Sequence, residues 1–203
     1  GGYGWQLGGY WKLTANDKFA LNYRSKISHR LEGTGNFTTT PGYDALLANP
    51  ALAASIPPFS HTTGTANFTT PAVISASYWH QAEKIGLGID LAYTKWDVFK
   101  NLTVKYGNAQ PPTTEAFDWR NTVFASIGGD YYLTDKVTLR AGIAVDQTPT
   151  RLATRDPRVP DSTRQMASFG IGYKASEHFE INASYAHIFV NQAHVNTKSG
   201  TGD

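Results

Sequence analysis

The sequence predicts an all-β protein, an antiparallel up-and-down transmembrane β-barrel. Three observations carry that reading. Apolar and polar residues alternate over long stretches, connections alternate strictly between tight turns and long loops, and aromatic residues gather near strand ends. Successive side chains on a strand point to opposite faces, so each alternating stretch has one apolar and one polar face.

The first strand is Trp5, Leu7, Gly9, Trp11 and Leu13 alternating with Gln6, Gly8, Tyr10 and Lys12, ended by the turn Ala15-Asn16-Asp17-Lys18. Phe19, Leu21, Tyr23, Ile27 and Leu31 form the apolar face of the second, interrupted by Ser25 and His29. From Gly33 to Pro71 the periodicity disappears into Thr, Gly and Pro, which predicts a long loop. Within it, Tyr43 to Ser55 is rich in Ala and Leu and predicts short helical turns broken at Pro50. Val73 to His80 is a weaker strand. Ile85, Leu87, Ile89, Leu91 and Tyr93 then alternate with Gly86, Gly88, Asp90, Ala92 and Thr94 in a strand expected to run on to Trp96 and Phe99. Lys100 to Ala116, with Pro111-Pro112, is a medium loop.

The clearest hairpin is Phe117 to Asp146. Its first strand sets Trp119, Asn121, Val123, Ala125, Ile127, Gly129, Tyr131 and Leu133 against Asp118, Arg120, Thr122, Phe124, Ser126, Gly128, Asp130 and Tyr132. Its second sets Val137, Leu139, Ala141, Ile143 and Val145 against Thr138, Arg140, Gly142, Ala144 and Asp146. A charged, proline-containing loop, Gln147 to Thr163, leads to a strand from Met166 to Lys174. A last strand follows with Phe179, Ile181, Ala183, Tyr185, His187 and Phe189 on its apolar face. The total is about eight strands in four hairpins, several longer than the common ~5–6 residues.

Alternation alone also fits a soluble antiparallel barrel or sandwich. Strand length, loop asymmetry and low charge favour the membrane. Charged residues are 17%, below the ~25% usual in soluble domains. No stretch approaches the ~18 apolar residues of a membrane helix, but a spanning strand needs only ~9–11 alternating residues. The net charge of +2 with no basic cluster argues against nucleic acid. There are no cysteines, hence no disulfide framework or thiolate metal site. Six scattered histidines, no nucleophile motif around a serine and no metal-ligand spacing argue against an enzyme and against a cofactor. The opening Gly1-Gly2-Tyr3-Gly4 shows no charged and apolar leader, so a leader has been cleaved or an N-terminal part lies outside the sequence.

An ordered series of short stretches carries a family resemblance: Gly4-Trp5-Gln6-Leu7-Gly8, Leu21 to Lys26, Lys95-Trp96-Asp97-Val98-Phe99, Trp119-Arg120-Asn121, Thr138 to Ala144, Asp146-Gln147-Thr148-Pro149, Arg158-Val159-Pro160-Asp161 with Arg164, and Tyr185-Ala186-His187. Their order and spacing resemble the C-terminal half of the FadL family, the long-chain fatty acid and aromatic hydrocarbon transporters of the bacterial outer membrane. The resemblance implies a barrel of about 14 strands plugged by an N-terminal hatch, with ligand leaving sideways through the wall. Residues 1–203 are then expected to be the C-terminal part of one barrel domain, without the hatch and final strand. Expected partners are a hydrophobic small molecule, outer membrane lipid (detergent in a crystal) and the missing N-terminal half. The expected function is uptake of hydrophobic molecules by passive diffusion; a structural or adhesive barrel and a general porin are the alternatives.

Arg24, Lys26, Arg30, Asp90, Arg120, Asp130, Arg140 and Asp146 are expected to face the lumen. There they form a structural network or bind a carboxylate headgroup, for which Arg120 and Arg140 are best placed. The resemblance implies a basic residue in the loop before Phe117. That segment reads Pro111-Pro112-Thr113-Thr114-Glu115, leaving Lys100 and Lys105 as distant substitutes and tilting the expectation toward a neutral ligand. Phe124, Tyr132, Trp96 and Val98, with the adjoining Phe99, are the candidates for an apolar path beside Gly86, Gly88, Gly128 and Gly142. Tyr43 to Ala54 either packs over the barrel mouth or forms an apolar capture surface. Arg151 to Arg164 reads as a salt-bridged cap, with contact to lipopolysaccharide phosphates as the lesser alternative.

Overall fold

The computed structural model describes residues 1–56 and 59–195. Eight strands form one antiparallel sheet: β1 (Gln6–Lys12), β2 (Asp17–Arg24), β5 (Val73–Gln81), β6 (Ile85–Thr94), β9 (Thr122–Tyr132), β10 (Val137–Asp146), β11 (Arg164–Lys174) and β12 (Glu180–Val190). Their order in the sheet follows their order in the chain, so each inner strand pairs with the sheet strands before and after it, and β1 and β12 form the two edges. A second sheet, β3 (Ile27–Gly35), β4 (Thr62–Thr70), β7 (Asn101–Tyr106) and β8 (Thr113–Ala116), is built from the long connections at one end.

The register separates the two faces of the main sheet. Leu21, Ala76, Leu91, Ala125 and Val145 are consecutive partners across five strands, and Ile89, Ile127 and Ile143 across three. These residues share the apolar face, where the large side chains are exposed: Ile143 is 62% and Phe169 64% accessible. In water such a continuous apolar surface would be an aggregation site, whereas an apolar outer band is what transmembrane barrels carry. The opposite face carries Asp90, Asp130, Arg140 and Asp146.

All four short connections close with a backbone hydrogen bond: Leu13 N to Asp17 O at 2.9 Å, Ala82 N to Ile85 O at 2.7 Å, Thr134 N to Val137 O at 3.2 Å and Ala175 N to Phe179 O at 3.0 Å. The three long connections all lie at the other end, as in outer membrane barrels with short periplasmic turns and long outer loops.

Four expectations need correction. The second strand does not continue to Leu31. At Ser25, which donates its backbone N–H to Trp5 O (2.9 Å) while its hydroxyl accepts from Trp5 N (2.9 Å), the chain leaves the main sheet and resumes as β3. The stretch from Gly33 to Pro71 is not loop throughout, since Thr62–Thr70 pairs with Ile27–Gly35 over its full length. Lys100 to Ala116 likewise holds the hairpin β7–β8. The strand expected from Phe117 starts at Thr122, because Asp118 adopts the left-handed region (φ 43°) and breaks the extended run. The helical turns are present as α1 (Pro41–Leu47) and α2 (Pro50–Ala53), each with proline in its first turn and capped by Thr40 or Asn49.

Candidate functional site: a lumenal trough and its outer cap

Two lateral rows of partners define the polar face at mid-sheet. One is Lys18, Trp79, Gly88, Gly128, Gly142, Ser168 and Ala186; the next is Ala20, Ser77, Asp90, Ser126, Ala144 and Met166. Small residues at neighbouring positions on successive strands leave a trough running across the sheet. It encloses about 490 Å³, with Tyr10, Trp79 and Met166 standing as walls. Most of its surface is apolar although this is the polar face, because the small side chains carry few heteroatoms.

Trp79 lies flat over the adjoining glycines. A Cβ on Gly86 would fall 2.3 Å from its Cζ2, and one on Gly88 2.9 Å from its Cε3. The room left by Gly86 and Gly88 is therefore taken by this indole, whereas Gly128 and Gly142 meet only backbone and the Ser168 hydroxyl. The indole N–H donates to Gln81 Oε1 at 3.3 Å, which holds the ring.

At the loop end the barrel meets the second sheet through an aromatic cluster. Phe99 is 5% exposed, with ring centroids 5.2, 4.7 and 4.8 Å from Phe68, Phe117 and Trp119. Trp96 packs edge-on against Trp119 at 4.8 Å. Around the cluster runs a polar latch. Lys100 Nζ lies 2.8 Å from Asp118 Oδ1, and Arg151 Nε lies 3.4 Å from Asp118 Oδ2 while donating to Asp118 O at 2.7 Å. The Lys100 hydrogen bond, with the positive charges of Lys100 and Arg151, holds the Asp118 carboxyl below its ordinary range. Further out, Arg158 joins Asp156 (2.5 Å) to Glu115 (3.0 Å), and Arg164 joins Asp146 and Asp161 (3.5 Å each). The run from Arg151 to Arg164 is thus tied into the protein by ion pairs.

The residues singled out in the sequence fall into separate places. Trp96, Val98 and Phe99 are not on a lumenal strand. Trp96–Val98 is a 3-10 turn, and Phe99 is interior to the outer aromatic cluster. Arg120 lies in the segment before β9, where its N–H donates to Pro149 O (3.0 Å) and its Nε to Thr148 O (3.3 Å). Lys105 is exposed on β7 in the second sheet, opposite Thr65. Lys26 lies beyond the break at Ser25, and Arg30 pairs with Glu32 at 2.8 Å on β3, so neither is on the barrel wall. Phe124 is on the lumenal face between Ala92 and Asp146. Arg140 and Tyr132 share the turn end. Arg140 contacts Asp130 (3.5 Å), Glu180 (4.0 Å) and Asn182 (2.7 Å), while the Tyr132 hydroxyl donates to Gln81 (3.2 Å).

Comparison with known proteins agrees with this architecture. A model of the family "Outer membrane protein transport protein (OMPP1/FadL/TodX)" matches residues 1–203. The chain belongs to this family. A FadL homologue from Pseudomonas aeruginosa superimposes with a TM-score of 0.76 at 36% identity, covering 93% of this chain and 44% of that one. The long-chain fatty acid transport protein of an Escherichia coli O6:H1 strain is 26% identical over 193 residues, 92% of this chain and 42% of its own length. The toluene transporter TodX of Pseudomonas putida shares the fold, with a TM-score of 0.60 at 24% identity over 91% of this chain and 43% of that one. The chain therefore spans less than half the length of these relatives. Membership in a family of outer membrane transport proteins places the chain in the outer membrane.

Sequence reasoning missed Trp79, Ser77, Ser126 and Met166 as trough residues of this family member. The signal was the coincidence of Gly88, Gly128 and Gly142 at one level. It emerges only once the register is known, since spacing within each strand does not say which residues of different strands are neighbours.

Proposed function

We propose that the full-length protein takes up hydrophobic small molecules across the outer membrane by passive diffusion, and that neutral compounds such as aromatic hydrocarbons pass more readily than ionised fatty acids. The observation that carries this is the trough of small residues on an otherwise polar lumenal face, walled by Trp79 and Met166. A ligand lying there gains about 25 cal/mol for each Å² of apolar surface removed from water. Of the cations read as headgroup partners, Lys100 is engaged by Asp118, Arg120 by Thr148 O and Arg140 by Asp130 and Asn182, while Lys105 lies away from the trough on β7; Lys18, at the turn side of the trough, is the cation left to meet a ligand there. Phe124 and Tyr132 lie above and below the trough as further contacts along the wall.

An open edge is intolerable in hydrocarbon because its backbone groups have no water to bond. The free edges of β1 and β12 are accordingly proposed to pair with further strands of the same barrel domain, whose apolar face lipid covers. The test is uptake of toluene and oleate into liposomes containing the full-length protein and its Trp79→Ala variant. Toluene uptake above that of empty liposomes, altered by Trp79→Ala, is expected. Uptake no faster than in empty liposomes would refute the transport reading.

A further inference from the structure

Asp90 is the acidic side chain within the trough. It sits in the row beside the glycines, and its two oxygens accept from Ser77 Oγ (2.5 Å) and Ser126 Oγ (3.1 Å) on the flanking strands. No Lys, Arg or His among the described residues pairs with it, whereas Asp130 and Asp146 on the same face pair with Arg140 and Arg164. The other charge lining the trough is Lys18, two strands away and one side-chain step nearer the turns. At ordinary strand spacing and rise their backbones are about 12 Å apart, longer than the screening distance of ~8–10 Å in physiological salt.

We infer that Asp90 is a specificity-determining residue, a fixed negative charge that selects against anionic ligands in the trough. The inference rests on the transport reading above and names the residue that discriminates. A hydrophobic chain stacked over Gly128 and Gly142 lies beside Asp90. If the chain ends in a carboxylate, the two like charges repel across the solvent-exposed side of the trough; an alcohol or hydrocarbon meets no such opposition. The serines strengthen the effect because they fix the carboxylate in the wall and occupy its oxygens without neutralising it. The same charge tolerates neutral ligands and favours cationic amphiphiles.

The experiment compares ligands with one chain and different ends. Liposomes containing the full-length protein are assayed near neutral pH for uptake of oleate, oleyl alcohol and oleylamine. Asp90→Asn should raise the oleate to oleyl alcohol ratio about twofold in physiological salt, the size set by two unit charges about 10 Å apart at an effective dielectric near 20 and screened over ~8 Å. The oleylamine to oleyl alcohol ratio should fall. Asp90→Glu, which keeps the charge, should leave both ratios near those of the parent. Ser126→Lys, which brings a cation onto Asp90, should shift them as Asp90→Asn does and serves if Asp90→Asn does not fold. If the parent transports none of the three, the transport reading fails. If it transports oleyl alcohol but Asp90→Asn and Ser126→Lys leave the ratios unchanged, or shift all three ligands equally, the assignment of Asp90 is overturned.

Discussion

The Arg140 guanidinium on β10 reaches across β11 to Asn182 on β12, Nη1 lying 2.7 Å from Oδ1. It can do so because the residue it crosses is Gly172. A Cβ there would come within 2.7 Å of Arg140 Nη1 and 2.8 Å of Asn182 Oδ1. The bridge ties three strands together on the lumenal side and already has an acceptor on each flank, Asp130 and Asn182.

Gly172→Leu is therefore expected to displace Arg140 and destabilise the full-length barrel by about 1.5–3 kcal/mol, the scale of a lost hydrogen bond to a charged group. Urea unfolding in detergent measures it. The effect should be non-additive with Arg140→Ala, since both remove the same bridge. Full additivity would show that Gly172 matters for another reason.

The two faces of β10 make a second prediction. Ile143 is on the apolar face and Ala144 on the lumenal face. Arginine on the lipid side near the midplane costs about 2–4 kcal/mol; in the lumen it is hydrated. Ile143→Arg should impair folding of the full-length protein into bilayers far more than Ala144→Arg, read as the folded, heat-modifiable fraction on a gel. Equal impairment would contradict the assignment of faces.

Much of the wall is legible in the sequence because a strand's period of two converts composition directly into facing. Leu87, Ile89, Leu139 and Ile143 could be given one side before any pairing was known. What could not be read follows from longer-range physics. β4 and β8 are rich in threonine and lack apolar alternation, so they carry no local signal and become strands by pairing with β3 and β7. Trp119 alternates correctly with Val123, yet the left-handed Asp118 turns its segment into the outer cluster. Whether Arg120 and Arg140 belong to a structural network or stand ready for a headgroup is open in the sequence, because the carbonyl of Thr148 and the side chain of Asn182 beside them come from distant parts of the chain.

The outer cluster gives a third prediction. Phe99 contacts Phe68 from the second sheet and Phe117 and Trp119 from the segment preceding β9. Phe99→Ala removes the centre of this packing, a change that costs about 3–5 kcal/mol in well-packed cores. The main sheet has its own register, so the loss should be local. Limited proteolysis of the full-length protein in liposomes should cut near β7 and β8 faster than in the parent, while the heat-modifiable shift persists. Loss of the shift would show that the cluster is needed to fold the barrel itself.

The last prediction concerns acid. Side-chain and backbone hydrogen bonds from Arg158 lower the Asp156 carboxyl from 3.8 to about 2, and Lys100 and Arg151 lower Asp118 in the same direction. A carboxyl depressed in the folded state binds fewer protons there than when unfolded, so its stabilisation is complete above the unfolded value and is lost as pH falls through the folded one. For Asp156 that window runs from 3.8 down to about 2. Because Arg158 also holds Glu115 at 3.0 Å, protonating Asp156 weakens the join between the loop after β10 and strand β8. Hydrogen-exchange protection of Thr113–Ala116 in the full-length protein, corrected for intrinsic rates, should fall across that window, while that of β9 and β10 does not. Asp156→Asn should lower this protection already at neutral pH and flatten its acid dependence. Protection of Thr113–Ala116 that is the same at pH 2 and pH 5 in the parent would show that the ion pairs do not secure the cap.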